Sequence, residues 1–384
     1  MTRRAFRTSY GRDIEFVDGY FDVHRKGYLA DPAHLFDDWP RDRRMSFWGF
    51  SRDVFEYAVL VDFLAHLGLP MNWQRLMDIG GAEGTMARLF RGEGRARHVT
   101  VVEANDQQFS LPDDLFMSLY EDFQTVVQGG MADPRCRARG FLGMVDQFGY
   151  HPPRSSAFYN LAMRADPIVD QYLVRDFYGL EDRFDCITAF LCVPWFDLDR
   201  LLPKVYSLLS DSGVFCILEG HWWYAVNATM IVGDFPYACQ RLTRDDLRRY
   251  FDENHPDETE RVLKRYDWFH QGRQHPTLDD FVDIAHRAGF SLLGARRFTP
   301  VCDIHQKTPV SPLVVDRCCR GYLDEVLADI HHFRPDVRLT DLHTAKMMMV
   351  FGKQPQSGDG LEPYLRRMHD AGDYGIYLRE TMGP

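Results

Sequence analysis

The chain has 384 residues, with 45 Lys and Arg against 56 Asp and Glu and a formal net charge of −11 at pH 7. That balance disfavours sequence-independent nucleic-acid binding, which rests on Lys and Arg neutralising phosphates. No apolar run approaches the roughly 18 residues of a membrane span. The basic start Met1-Thr2-Arg3-Arg4 leads to Asp13 and Glu15 without an apolar stretch, so no signal peptide is expected. Eight cysteines without a C-x-x-C pair argue against a disulfide framework and a zinc site. The expectation is a cytoplasmic protein with ample chain for one large core.

In chain order, residues 1–45 are polar, aromatic and broken by Asp31-Pro32 and Trp39-Pro40, which suggests an arm or lid. From Ser51, a capping residue, Phe55, Val59, Leu60, Phe63 and Leu67 recur at helical spacing up to Gly68. Residues 75–79 form a short apolar strand that runs into Gly80-Gly81-Ala82-Glu83-Gly84. A helix from Thr85 and a strand at 98–103 complete a βαβ unit. Buried-type strands follow at 168–174, 184–190 and 213–218, the last two separated by a helix at 201–209. A helix at 278–288, a strand at 290–298, a helix at 315–333 and a strand at 346–351 close the pattern. The core domain is expected over 46–354, with insertions at about 104–166, 221–277 and 303–342 and a tail at 355–384.

Asp78-Ile79-Gly80-Gly81-Ala82-Glu83-Gly84 is the most informative stretch, because small residues after a strand let a ligand lie against backbone. Its spacing is D-x-G-x-A-x-G, not the dinucleotide pattern G-x-G-x-x-G. It closely resembles the first motif of the class I S-adenosylmethionine (SAM) methyltransferases, with Ala82 in place of the middle glycine. Glu103 closes the next strand, 19 residues after Gly84. The resemblance implies that Glu103 receives ribose hydroxyls and that Asp176 receives the adenine amino group. Phe177 or Phe190 would stack on the purine, and Asp78, Gly80, Gly81, Ala82 and Gly84 would complete the cofactor site. It further implies an α/β fold: a seven-stranded, mostly parallel sheet whose last strand inserts antiparallel between the fifth and sixth, with helical lid insertions. The cofactor would be SAM and the product S-adenosylhomocysteine (SAH).

For the methyl acceptor, the Asn/Asp-Pro-Pro-Tyr/Phe signature of nucleic-acid amino methylation is replaced by Leu191-Cys192-Val193-Pro194-Trp195-Phe196. The aromatic insertions point instead to a small, partly apolar or aromatic metabolite, in specialised bacterial biosynthesis. Phe109, Phe116, Tyr120, Phe123, Phe141, Phe148, Tyr150 and Phe158 stand in the first insertion, and Tyr237 and Tyr266 in the second. They suit a pocket roof, a satellite core or a dimer interface, and a homodimer through the arm or lid helices is the expected assembly. His221, just past a strand among aromatics, is the leading candidate base, with Tyr224 and Glu219 after it. Trp222, Trp223 and Arg273 are candidate substrate contacts. His270 and His275, with Asp303 and His305, have no recognised metal-ligand spacing, so no metal is expected. Competing readings are a methyltransferase fold acting as a lyase or cyclase, or as a non-catalytic partner subunit.

Overall fold

The computed structural model describes residues 3–17, 39–104, 110–132, 155–220, 223, 237–270, 275–298, 320–344 and 346–353. A hairpin of β1 (Arg3–Arg7) and β2 (Asp13–Val17) comes first and, among the described residues, pairs only with itself. Helix α1 (Arg41–His66) follows. It begins ten residues before Ser51, which is buried inside it. Pro40, expected as a breaker, stands ahead of the first turn instead. A proline there removes only an N–H that a helix start leaves unpaired anyway.

The main sheet then alternates with helices: β3 (Trp73–Ile79), α2 (Thr85–Gly92), β4 (Ala96–Glu103), α3 (Asp113–Ala132), β5 (Gln171–Val174), β6 (Phe184–Phe190), α4 (Leu198–Leu208) and β7 (Leu209–Gly220). The second insertion holds α5 (Ala238–Arg241), α6 (Arg244–Asn254) and α7 (Thr259–His270). Helix α8 (Leu278–Arg287), β8 (Ser291–Phe298), α9 (Arg320–Ile330), α10 (Leu339–His343) and β9 (Lys346–Gly352) finish the described chain.

Seven strands run in the order β5-β4-β3-β6-β7-β9-β8. All neighbouring pairs are parallel except those made by β9, which lies antiparallel between β7 and β8. This is the expected class I methyltransferase arrangement. The order reverses beside β3, so the ends of β3, β4 and β6 flank a crevice, the usual ligand position in an open α/β sheet.

Successive side chains of each strand face opposite sides, and two cores result. Leu76, Cys216 and Met348 join Tyr57, Leu60 and Phe90 on the face covered by α1 and α2. Met77, Ile217 and Met349 join Leu201, Leu202 and Phe281 on the face covered by α4 and α8. Burying an apolar side chain of this size stabilises by roughly 1.5–3 kcal/mol, so strand alternation dictates that helices cover both faces.

The first insertion is core rather than roof where it is described. Phe116, Phe123 and Phe158 are fully buried beneath α1, with Phe50 5.5 Å from Phe116 and Phe123 5.4 Å from Phe158. Phe109, Phe141, Phe148 and Tyr150 lie outside the described residues.

The second insertion forms a satellite layer. Phe6, Ile14 and Phe16 of the hairpin pack on Leu247, Tyr250, Phe251 and Val262. Tyr237 and Trp223 join Val326, Ile330 and Leu342 of the third insertion. The two groups are stitched by a buried pair, Arg241 to Asp329 at 2.7 Å, with Arg12 also on Asp329 at 2.8 Å. The second-insertion aromatics Tyr237 and Tyr266 therefore pack in or against satellite cores. Among the described residues no helix is long and apolar enough to cross a membrane.

Candidate functional site

The turn after β3 is shaped by what lies beneath it. Gly80 has φ +63°, and a Cβ there would come within 2.7 Å of the Cys192 Cβ. A Cβ on Gly81 would stand 2.5 Å from Asp78 Oδ2. Both positions exclude a side chain and present bare backbone to the crevice. Ala82 is left-handed at φ +45° although it is not glycine. Its N–H donates to Glu103 Oε2 at 3.2 Å, and its carbonyl accepts from the Tyr172 hydroxyl. The turn is thus tied to the ends of β4 and β5. Gly84, at φ +79°, caps α2 and faces Val169 rather than the crevice.

Asp78 is 1% exposed and accepts a hydrogen bond of 2.7 Å from Thr188 Oγ1. Burial pushes its carboxyl up to about 7, while the Thr188 hydroxyl favours the ionised form and pulls it down. At the far side, Asp176 Oδ1 accepts from the Tyr178 N–H at 3.0 Å and caps a short helical turn. That turn holds Phe177 edge-on to Phe196 at 5.5 Å.

These groups surround a cavity of about 710 Å³. Asp78, Gly80, Gly81, Ala82, Glu103, Asp176, Phe177 and Phe190 all line it. Glu219 is buried in β7 and is not among the lining residues, and Trp223 lines a separate cleft. His221, Trp222, Tyr224 and Arg273 lie outside the described residues.

One wall was not anticipated from sequence. Arg52, Asp53 and Glu56 of α1 also line the cavity. Burial pushes the Asp53 carboxyl up to about 6 against the opposing pull of Arg52, whose Nη2 lies 3.0 Å away. Glu56 is buried and paired with Lys346 Nζ of β9 at 2.6 Å. A usable signal did exist: three charged residues interrupting the apolar run Phe50, Val54, Phe55 and Tyr57 on one helix. Among the described residues, five carboxyls and two guanidiniums (Arg52 and Arg175) line the cavity. With its aromatic edge, that set suits a ligand with a positive charge, hydroxyls and a flat ring.

No protein-family model matches the chain, and no curated protein matches its sequence. Among solved structures it is similar to an S-adenosylmethionine-dependent methyltransferase from Mesorhizobium loti, at 14% identity and TM-score 0.35, over 76% of this chain and 95% of that one. It is also similar to phosphoethanolamine N-methyltransferase 2 of Haemonchus contortus, at 15% identity and TM-score 0.37, over 77% of this chain and 52% of that one. A third is geranyl diphosphate C-methyltransferase from Streptomyces coelicolor A3(2), at 10% identity and TM-score 0.36, over 77% and 76%. These likenesses are distant. Strand order and the cavity of this chain carry the functional reading.

Proposed function

We propose that this chain, which carries the class I methyltransferase fold, is a SAM-dependent methyltransferase acting on a small, partly apolar or aromatic metabolite in specialised bacterial biosynthesis. The observation that carries the reading is the acidic cavity at the reversal of strand order, where Glu103 is hydrogen-bonded to a turn of bare backbone. A sulfonium cofactor fits that donor set. Glu103 would hold the ribose hydroxyls, Asp176 the adenine amino group, and Phe177 or Phe190 the purine. Gly80, Gly81 and Ala82 would lie against the cofactor backbone-first, held in shape by Asp78 from below and started into α2 by Gly84.

SAM supplies a methyl group activated for in-line displacement. The chain's part is to align the acceptor, exclude water and take up a proton. His221 is proposed as the proton acceptor, with Tyr224 and Glu219 as secondary candidates, and Trp222 and Arg273 as contacts to the acceptor; Trp223, in a separate cleft, leaves that role. The product would be SAH. In the same reading residues 1–45 act as an arm, 46–354 form the methyltransferase domain and 355–384 a tail. The protein works in the cytoplasm, as a homodimer through the arm or lid helices.

Calorimetric titration with SAM and SAH tests the reading. Micromolar binding is expected, weakened at least tenfold in Glu103→Gln, where the carboxylate's charge-assisted bonds are lost. Absence of binding by the wild type would sink it. For the proton acceptor, a His221→Ala variant that keeps full turnover would remove His221 from the role.

A further inference from the structure

Two neighbours on α1 leave matched groups unused. Arg52 donates to Asp53 through Nε at 3.2 Å and Nη2 at 3.0 Å, and both bonds end on the same oxygen, Oδ1. Among the described residues, no hydrogen bond engages Arg52 Nη1 or Asp53 Oδ2. Both residues line the Gly80 cavity, with side chains 50% and 27% exposed. The pair therefore offers a cationic donor and an anionic acceptor side by side.

The other carboxyls of the cavity are already engaged. Glu56 is paired with Lys346, Asp78 accepts from Thr188, Glu103 from the Ala82 N–H and Asp176 from the Tyr178 N–H. Among the described residues, Asp53 is the cavity carboxyl bonded only to its own sequence neighbour.

Strand order fixes where the pair stands. Asp176 follows β5, Glu103 ends β4, and the Gly80 turn follows β3. Lys346 starts β9, three places beyond β3 on the other side. It lies opposite Gly220 at the end of β7, on the edge where the parallel strands finish. Through Glu56 it holds α1 over that side of the cavity. Asp53 also adds to the burial that raises the Asp78 carboxyl, which puts it near the turn. A ligand anchored at Asp176 and Glu103 thus runs past the bare backbone toward Arg52 and Asp53.

The chemistry narrows the occupant. A lone cation at Asp53 Oδ2 meets the guanidinium beside it, and a lone anion at Arg52 meets the carboxylate. A group with ammonium and carboxylate on one carbon places each charge against its opposite and makes a charge-assisted bond at both ends.

We propose that Arg52 and Asp53 hold the zwitterion of an α-amino acid, its carboxylate on the guanidinium and its ammonium on Asp53 Oδ2. Two molecules bring that group: the cofactor, whose tail beyond sulfur is an α-amino acid, or an amino-acid methyl acceptor. The first source rests on the SAM reading; the pair itself does not.

Calorimetry on the full chain compares SAH with 5′-methylthioadenosine, which keeps the adenosine and the sulfur but lacks the amino acid. SAH is expected to bind at least about tenfold more tightly, from two added charge-assisted bonds. Asp53→Asn and Arg52→Gln should each weaken SAH about tenfold and leave methylthioadenosine unchanged, whereas Glu103→Gln weakens both. Unchanged methylthioadenosine affinity shows that a variant is folded. Should Asp53→Asn fail to fold, Arg52→Gln, at a half-exposed position, decides.

If the two ligands bind alike, or the SAH advantage survives both substitutions, the cofactor is not the source. L-Phenylalanine titrated into the SAH-loaded protein then decides. Saturable binding that both variants lose assigns the pair to the acceptor, and no such binding overturns the proposal. If neither nucleoside binds, the SAM reading fails by itself, and L-methionine and L-phenylalanine are titrated alone. Saturable millimolar binding lost in both variants upholds the pair, and its absence overturns it.

Discussion

Asp78 links the turn's shape to pH. Its carboxyl sits at about 7 in the fold, against an ordinary value of 3.8. The folded protein therefore keeps a proton that the unfolded chain has released, and stability falls as pH rises from about 4 to about 7 before levelling. Between pH 5 and 7 the loss from this one group is about 2 kcal/mol. Asp78→Asn mimics the protonated acid and should show a correspondingly flatter profile in urea unfolding at pH 5, 6, 7 and 8. Parallel profiles for the two proteins would mean that Asp78 is ionised in the fold. Ala82 makes a second residue-scale case. Its left-handed backbone costs roughly 1–2 kcal/mol that glycine would not incur, partly offset by glycine's greater freedom in the unfolded chain. Ala82→Gly is expected to raise the denaturant midpoint, with a net gain of about 0.5–1 kcal/mol.

Helix α1 is the element on which the cavity and the sheet meet. It spans 26 residues, about 39 Å at 1.5 Å per residue. Its buried Glu56 is tied to Lys346 at the start of β9. Removing one partner strands a buried charge, so Lys346→Met should destabilise by about 3–5 kcal/mol, and adding Glu56→Gln should restore most of that. A double-mutant cycle in urea measures it; strictly additive losses would mean the pair is not coupled. This helix also marks where sequence reading stopped. The strand, turn and helix around Gly80 were legible because every residue there serves a local geometry. So was β9, a short apolar strand of residues 346–352. The start of α1 was not, since Trp39-Pro40 reads equally as a break or as a helix entry. Nor was its cavity-facing side, because periodicity shows that a face is apolar or charged without showing what covers it. The same limit left Phe116, Phe123 and Phe158 open between roof, satellite core and interface, and they lie in the main core.

Across the whole molecule, the hairpin and the two later insertions form one layer beside the sheet, joined through Asp329. That carboxylate is almost fully buried and serves Arg12 and Arg241 together. Asp329→Ala should leave the buried Arg241 guanidinium uncompensated and loosen the layer selectively. Hydrogen exchange should then show faster amides in β1, β2 and α6, with β3, β4 and β6 still protected. Uniform acceleration across all of them would mean that the layer and the sheet unfold as one unit. The hairpin itself escaped sequence reading because it is two five-residue strands whose described apolar cover, in α6 and α7, lies far along the chain.

That layer also fixes an order of events during synthesis. Arg12 and Asp329 are 317 residues apart. At roughly 5–20 residues per second, the ribosome makes one about 15–60 s before the other. A lone two-stranded hairpin is marginal in water, so Phe6, Ile14 and Phe16 emerge early and wait, uncovered, for a surface not yet translated. That early segment is among the late ones to find its place, and incomplete chains that end before α6 would carry it exposed as a ready mark for chaperones and proteases.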